Sequence, residues 1–273
     1  MIVVTGATGN VGRTLVHALA EAGAQVTAVS RGPADTGLPK GVRHRQADLA
    51  DPESLRPVLD GADALFLLVA GDSPHGILDA AKAGGVRRVV LLSSQGAGTR
   101  PESYPHPHAF ERAVTESGLD WTILRPSGFD TNAFAWAAPI HEHRTAAAPF
   151  GDVGLPNIDP TDIAEVAAAA LLDDTHIGHT YELTGPELTT PRERAAAIGD
   201  AIGEQVRFVE QSRAEARAQL LTFMPEPVVE GTLAILGEPS AAEQTVSPDV
   251  ERILGRAPHT FAEWAARNVA AFR

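Results

Sequence analysis

The chain has 273 residues, enough for one large α/β domain, or one domain carrying a smaller lobe, with a substantial buried core. Its 22 basic residues face 35 acidic ones, a formal net charge of −13. The field therefore opposes non-specific attraction to nucleic acid or anionic lipid, and an anionic ligand must be held by local geometry. There is no cysteine, which excludes disulfides, thiolate metal sites, cysteine nucleophiles and thiol redox chemistry.

The first residues, Met1-Ile2-Val3-Val4-Thr5-Gly6, enter a strand pattern at once instead of the basic and apolar segments of a signal peptide. No apolar stretch approaches the ~20 residues that span a bilayer, so a cytoplasmic location with no membrane or nucleic-acid partner is expected. Short apolar runs then alternate with helical patterns, the signature of a parallel sheet covered on both faces. The predicted strands are Ile2 to Gly6, Val26 to Arg31, Val42 to Gln46, Ala64 to Ala70, Arg88 to Ser93 and Trp121 to Arg125. Val11, Leu15 and Leu19 give the first helix an apolar stripe, and Asp51-Pro52 and Ser73-Pro74 each set a capping side chain before a first-turn proline.

From Pro126 to Pro160 the periodicity loosens, and loops with short helices are expected over the carboxyl edge of the sheet. Asp159-Pro160-Thr161-Asp162 caps the run Ile163 to Leu172, and Thr180 to Thr184 supplies one more strand. Thr190-Pro191-Arg192-Glu193 is a capping box, Val206 to Val209 a short strand, and Thr260 with Glu263 opens the last helix. The expected architecture is a Rossmann-type doubly wound parallel sheet with a smaller C-terminal substrate-binding lobe. It is expected as a single domain over 1–273, with a core of about 1–125 plus 159–185 and a lobe of about 126–158 and 186–273.

Thr5-Gly6-Ala7-Thr8-Gly9-Asn10-Val11-Gly12 lies between the first strand and the first helix, the context that makes a glycine pattern informative. Gly6 permits the sharp exit from the strand and Gly9 a close backbone approach to a pyrophosphate. Gly12 lets the helix pack on the sheet with its N–H groups and dipole facing the phosphates. An acidic residue closing the second strand would bind the ribose hydroxyls of NAD; here the strand ends Val29-Ser30-Arg31. Arg31 can fork onto a 2′-phosphate, Ser30 can donate to it, and Arg13 is a second cation, so NADP(H) is the expected cofactor. Asp48 after the third strand suits either the adenine amino group or a turn.

The glycine loop, Arg31, Asp48, Ser93-Ser94-Gln95-Gly96-Ala97 and Trp121-Thr122-Ile123-Leu124-Arg125-Pro126 together resemble the NmrA-like atypical short-chain dehydrogenase/reductase family. The chain looks especially like its NAD(P)H:quinone oxidoreductase type 2 branch and the related reductases of bacterial secondary metabolism. The likeness includes Asp162-Ile163-Ala164, Tyr181 to Gly185 and the tail from Val250 to Phe272. It implies that Thr5 to Gly12, Ser30 and Arg31 hold the dinucleotide. It also implies that Asp48 and Leu49 flank the adenine, and that Leu68, Val69, Ala70 and Ser93 line the nicotinamide side. The family also includes nucleotide sensors that do not turn the cofactor over.

Short-chain dehydrogenases usually pair a tyrosine proton donor with a lysine four residues later. Lys40 and Lys82 are the only lysines, and neither follows such a tyrosine. Tyr104 and His108 do stand four apart in Ser103-Tyr104-Pro105-His106-Pro107-His108, but the two prolines argue for a loop. His106 or His108 alone could still donate a proton near neutral pH. The candidate catalytic side chains are His108, Tyr104 and Ser94. The pairs His141-x-His143 and His106-x-His108 lack an assured third ligand, so no metal is expected. Phe129, Phe134, Trp136 and Phe223 are core residues first, with a share of Phe129 to Trp136 expected near a substrate pocket. The expected function is NADPH-dependent reduction of a quinone or an activated aromatic carbonyl or enone. A quinone, once given a hydride, forms a stabilised anion that water can protonate. The alternatives are an NADP(H)-sensing regulator without turnover and a cofactor-dependent isomerase or cyclase. The expected partner is a small aromatic or quinone-like molecule, and the expected state a monomer or homodimer.

Overall fold

The computed structural model describes residues 1–33 and 37–273. The elements run β1 (Ile2–Thr5), α1 (Gly12–Glu21), β2 (Val26–Ser30), β3 (Arg43–Gln46), α2 (Pro52–Leu59), β4 (Ala64–Leu68), α3 (Pro74–Gly84), β5 (Arg88–Leu92), α4 (Gln95–Thr99), α5 (Pro105–Glu116) and β6 (Asp120–Pro126). There follow α6 (Ala137–His143), β7 (Thr145–Ala148), α7 (Pro160–Leu172), β8 (His179–Leu183), α8 (Pro191–Ile202), β9 (Arg207–Glu210), α9 (Arg213–Leu220), α10 (Glu226–Gly237), α11 (Asp249–Leu254) and α12 (Phe261–Arg267). The chain divides into two compact units, Met1–Ala97 with Pro105–Pro126 and Pro160–Glu182, and Gly98–Tyr104 with Ser127–Asp159 and Leu183–Arg273.

The first unit holds a seven-stranded sheet in the order β3-β2-β1-β4-β5-β6-β8. Every neighbouring pair from β3 to β6 is parallel. The order reverses between β1 and β4, which is where a doubly wound sheet opens a crevice at the strands' carboxyl ends. β1, β2 and β4 are almost wholly buried, as their unbroken apolar runs require, while Arg43-His44-Arg45-Gln46 makes β3 a polar edge. One face of the sheet packs Leu55, Leu59, Ile77, Leu78, Phe110 and Val114 against Val3, Leu65 and Leu91. On α1, Leu15, Val16 and Leu19 are buried, and the helix lies against α7.

Each predicted strand of this sheet is present, and several end one or two residues early. Gly6, Arg31, Val69, Ala70 and Ser93 thereby fall just past the carboxyl ends of their strands. Asp51 caps Glu53 N–H as expected, whereas Ser73, at the equivalent position of α3, makes no side-chain cap bond. The loop expected around His106 and His108 is instead the first turn of α5. Pro105 and Pro107 fit there because the first four N–H groups of a helix have no internal acceptor to lose.

In the second unit, β7 and β9 form a parallel pair. β7, Thr-Ala-Ala-Ala, carries no strand signal of its own and lies in the stretch expected to lack strands; its order comes from β9. The core gathers Trp136, Ile140, Ile198, Ile202, Phe261, Trp264 and Phe272. Phe134 stacks on Phe272 at 5.9 Å, and the Trp136 indole N–H donates to Ala147 O at 2.8 Å, so both belong to this packing. Phe223 does not: it is 65% exposed. Capping boxes open α8, α9 and α12, two of them as the sequence required. Arg194 lies buried among Trp136 and Phe261; burial lowers its pKa to about 10 against the opposing pull of Asp130.

Glu243 is fully buried in this unit. Burial alone would raise its pKa, and the strongest opposing partner is Arg100, which donates from Nε at 2.7 Å and Nη2 at 2.9 Å. With further donors on Ser240 and Thr99, the carboxyl is held at about 2. A depressed carboxyl contributes stability that is complete above its ordinary value of 4.5 and disappears as pH falls toward 2. The wild type should therefore unfold at progressively lower urea concentration as pH falls over that interval, and Glu243→Gln should be less stable at neutral pH and lose that part of the acid slope.

Candidate functional site

The site begins where β1 stops. Thr5 Oγ1 donates to Phe66 O at 2.9 Å and accepts from Leu68 N–H at 3.1 Å, stitching β1 to β4 at the topological switch. Gly6 then takes φ +63°, a left-handed turn that costs a glycine nothing, and Leu68 lies directly beneath it. Ala7 N–H donates to Val29 O at 3.0 Å and Gly9 N–H to Gly6 O at 2.9 Å, which folds the loop back over the strand ends. At Gly12 a Cβ would stand 2.2 Å from Gly6 O, so only glycine lets α1 start this close to β1. The N-cap residue of α1 is Val11, which makes no side-chain cap bond, and the first turn holds no acid. Its positive end is thus presented to the exposed segment Thr8-Gly9-Asn10, the arrangement that binds a pyrophosphate. A Cβ on Gly9 would meet only Gly6 O, at 3.2 Å, so the glycine there serves close approach from outside more than packing within.

At the end of β2 the buried Ser30 hydroxyl donates to Gly32 O at 3.1 Å, and its oxygen lies 2.9 Å from His44 Nε2 on β3. Its single proton is thus already engaged, and His44, which sequence reasoning passed over, is the polar neighbour at this position. Arg31 is exposed just beyond, its backbone carbonyl held by Gln46 at 3.2 Å. One Asp48 carboxylate oxygen accepts from Ala50 N–H at 3.0 Å, a turn role, and Leu49 is buried in the core.

On the other half of the sheet, Leu68, Val69 and Ala70 are partly buried against the core and lead out of β4. Ser93, past the end of β5, is 8% exposed, and its hydroxyl donates to Glu111 Oε1 on α5 at 2.6 Å. Glu111 is clamped by Arg125 at the end of β6, whose Nε and Nη2 reach its two oxygens at 2.9 and 2.7 Å, and Nη1 reaches Glu182 on β8 at 3.3 Å. The Glu111 carboxylate, and Glu182 behind it, hold the Arg125 guanidinium more firmly protonated than usual. The sequence offered one signal for Glu111, an acid beside Phe110, Ala113 and Val114 on the buried face of the helix. Ser94 turns away to accept from Gly96 N–H at 3.2 Å.

Among the candidate acids, His106 Nε2 lies 2.7 Å from Gly71 O and its ring stands edge-on to Phe110. His108 Nδ1 is buried and has no hydrogen-bond partner among the described residues. Tyr104 belongs to the second unit, where its hydroxyl meets Thr232 Oγ1 at 3.0 Å. Burial raises its pKa, with the Thr232 bond opposing, the reverse of what a lysine does for a short-chain dehydrogenase tyrosine. No three His, Asp or Glu side chains gather to hold a metal among the described residues. Among the described residues, no helix is long and apolar enough to cross a membrane.

Residues 6–174 match the NAD(P)H-binding family. The chain is a member of that family. Over its whole length it is 35% identical to the (4-alkanoyl-5-oxo-2,5-dihydrofuran-3-yl)methyl phosphate reductase of Streptomyces griseus, covering 99% of that protein. It is 32% identical to the NAD(P)H azoreductase of Xenophilus azovorans, again over 100% of this chain and 99% of the relative. The NADPH-dependent quinone oxidoreductase of Escherichia coli, solved with NADPH, superposes with a TM-score of 0.82 at 26% identity over 98% of this chain and 99% of that one. The resemblance to the NmrA-like group, close to its quinone-oxidoreductase branch, is borne out, and with it the Rossmann-like α/β fold. This member is an NAD(P)H-dependent oxidoreductase.

The two inner glycines should separate folding from binding. Gly12→Val forces backbone against backbone and should cost ~3 kcal/mol or more in chemical denaturation. Gly9→Val, whose Cβ presses on Gly6 O at 3.2 Å, should cost less than Gly12→Val yet weaken NADPH binding at least ~100-fold in a fluorescence titration.

Proposed function

We propose that this oxidoreductase uses NADPH to reduce a quinone or a similarly activated aromatic carbonyl or enone. The observation that carries the reading is the loop from Thr5 to Gly12. It is a cradle whose helix start, with Val11 making no side-chain cap bond, and exposed Gly9 suit a pyrophosphate at the switch point of the sheet. When bound, the cofactor supplies a hydride, two electrons with one proton, to the acceptor. The residues Thr5 to Gly12 hold its phosphates, and Asp48 and Leu49 flank the adenine. Leu68, Val69, Ala70 and Ser93 line the nicotinamide side.

Preference for NADPH rests on Arg31, supported by Arg13 on α1 and by His44 beside Ser30. The net charge of −13 makes these local donors necessary for a 2′-phosphate. The acceptor class follows from the acid. With Tyr104 tied to Thr232 and its proton held more tightly than usual, an acceptor whose reduced form is a delocalised anion suits this protein better than a plain ketone. Water, or His108 where a side chain takes part, returns the proton, and Ser94 is secondary. The relatives' names point the same way, since a quinone, an azo compound and an acyl dihydrofuranone are all conjugated acceptors.

The test is the initial rate of NADPH loss with a panel of simple quinones, NADH run in parallel. Rapid loss with NADPH and slow loss with NADH is expected; tight binding with no loss across the panel would favour a cofactor sensor. Arg31→Ala should cut the NADPH-to-NADH preference about tenfold, the worth of one charge-assisted contact. Tyr104→Phe should hold kcat for quinone within about threefold of wild type, and a loss beyond ~100-fold would make Tyr104 the proton donor.

A further inference from the structure

We propose that Glu111 and Arg125 lock the Ser93 hydroxyl as a hydrogen-bond acceptor for the carboxamide N–H of the nicotinamide. Ser93 would then recognise the cofactor and would not polarise the acceptor's carbonyl. The inference rests on the cofactor reading above and assigns the chemistry of one of its contacts.

A hydroxyl has one proton to give and two lone pairs to offer. The Ser93 proton is directed at Glu111 Oε1 at 2.6 Å, and a carboxylate clamped by Arg125 at 2.9 and 2.7 Å offers only lone pairs in return. Glu111 is 5% exposed, so water does not compete for it, and turning the hydroxyl outward would strip a donor from a buried anion. The backbone adds to the fixity, since Ser93 N–H donates to Leu124 O at 2.8 Å. What remains on Ser93 Oγ is acceptor capacity, and its complement is an N–H.

Position supplies the partner. The strand order reverses between β1 and β4, and a dinucleotide lies across that reversal with one nucleotide on each half of the sheet. Arg31 and Ser30 stand on the half formed by β1 and β2, which takes the adenosine. Ser93 stands past β5 on the other half, which takes the nicotinamide, whose carboxamide carries two N–H donors. Glu111 and Arg125 act through Ser93 and are positioning residues. A serine able to donate to the acceptor's carbonyl would need its proton free, and this one is committed.

The 3-acetylpyridine analogue of NADP+ keeps the carbonyl and replaces the NH2 with a methyl, so it tests this contact directly. Dissociation constants of NADP+ and the analogue are measured by fluorescence quenching on the full chain. Wild type should prefer NADP+ about five- to tenfold, the worth of one hydrogen bond. Ser93→Ala, which leaves the Glu111–Arg125 pair in place, should bind the two alike by weakening NADP+ alone, and Ser93→Thr should restore the preference. Glu111→Gln, shown folded by thermal melting, should reduce it. Retention of the full preference in Ser93→Ala would overturn the inference. So would a fall in kcat for quinone in that variant without a rise in cofactor KM, because Ser93 would then act on the acceptor. Failure of wild type to bind NADP+ at all would instead overturn the cofactor reading.

Discussion

Gly6 O occupies the space that a side chain on residue 12 would need. That single close approach brings the first turn of α1 under the end of β1, and most of what the first unit can bind follows from it. Gly6 must take a left-handed turn to bring its carbonyl round, Leu68 fills the floor beneath, and Thr5 ties β1 to β4 so that the loop has a rigid base. A helix so placed, its N-cap Val11 making no side-chain cap bond, directs its dipole and N–H groups at the crevice, which is how a strongly acidic protein can hold a dianion.

Around this anchor the polar groups at the carboxyl edge are fixed by one another. Ser30 is engaged by Gly32 and His44, Ser93 by Glu111, and Ser94 by Gly96. The hydroxyls that a reader would nominate as donors to a ligand are thus already donating inward or capping a helix. The net effect is an edge rich in preset acceptors and backbone donors, with Arg31 exposed past β2 and the half-buried Arg125 committed to Glu111 and Glu182. Such a surface suits positioning of a reactive cofactor more than acid catalysis.

The strands of the main sheet and the glycine loop were legible from the sequence because their signals are local. Continuous runs such as Ala64 to Leu68 are buried on both faces, and the glycines answer to the backbone at their own positions. The first turn of α5 was not legible. Pro105 and Pro107 read as breakers, and only their placement where N–H groups have no helical acceptor reverses that meaning. β7 was missed for a related reason: three alanines have no strand preference until β9 supplies hydrogen bonds.

By itself, then, the sequence determined the doubly wound sheet, the glycine loop, the caps of α2, α8 and α12 and the cation that follows β2. Each of these depends on residues within a few positions of one another. Only the tertiary structure decided which way hydroxyl protons point and which acids are paired. Ser93 and Glu111 are 18 residues apart, Arg125 and Glu182 57, and Arg100 and Glu243 143. A buried carboxylate finds its partner through the packing of whole elements, and spacing along the chain carries no record of that pairing.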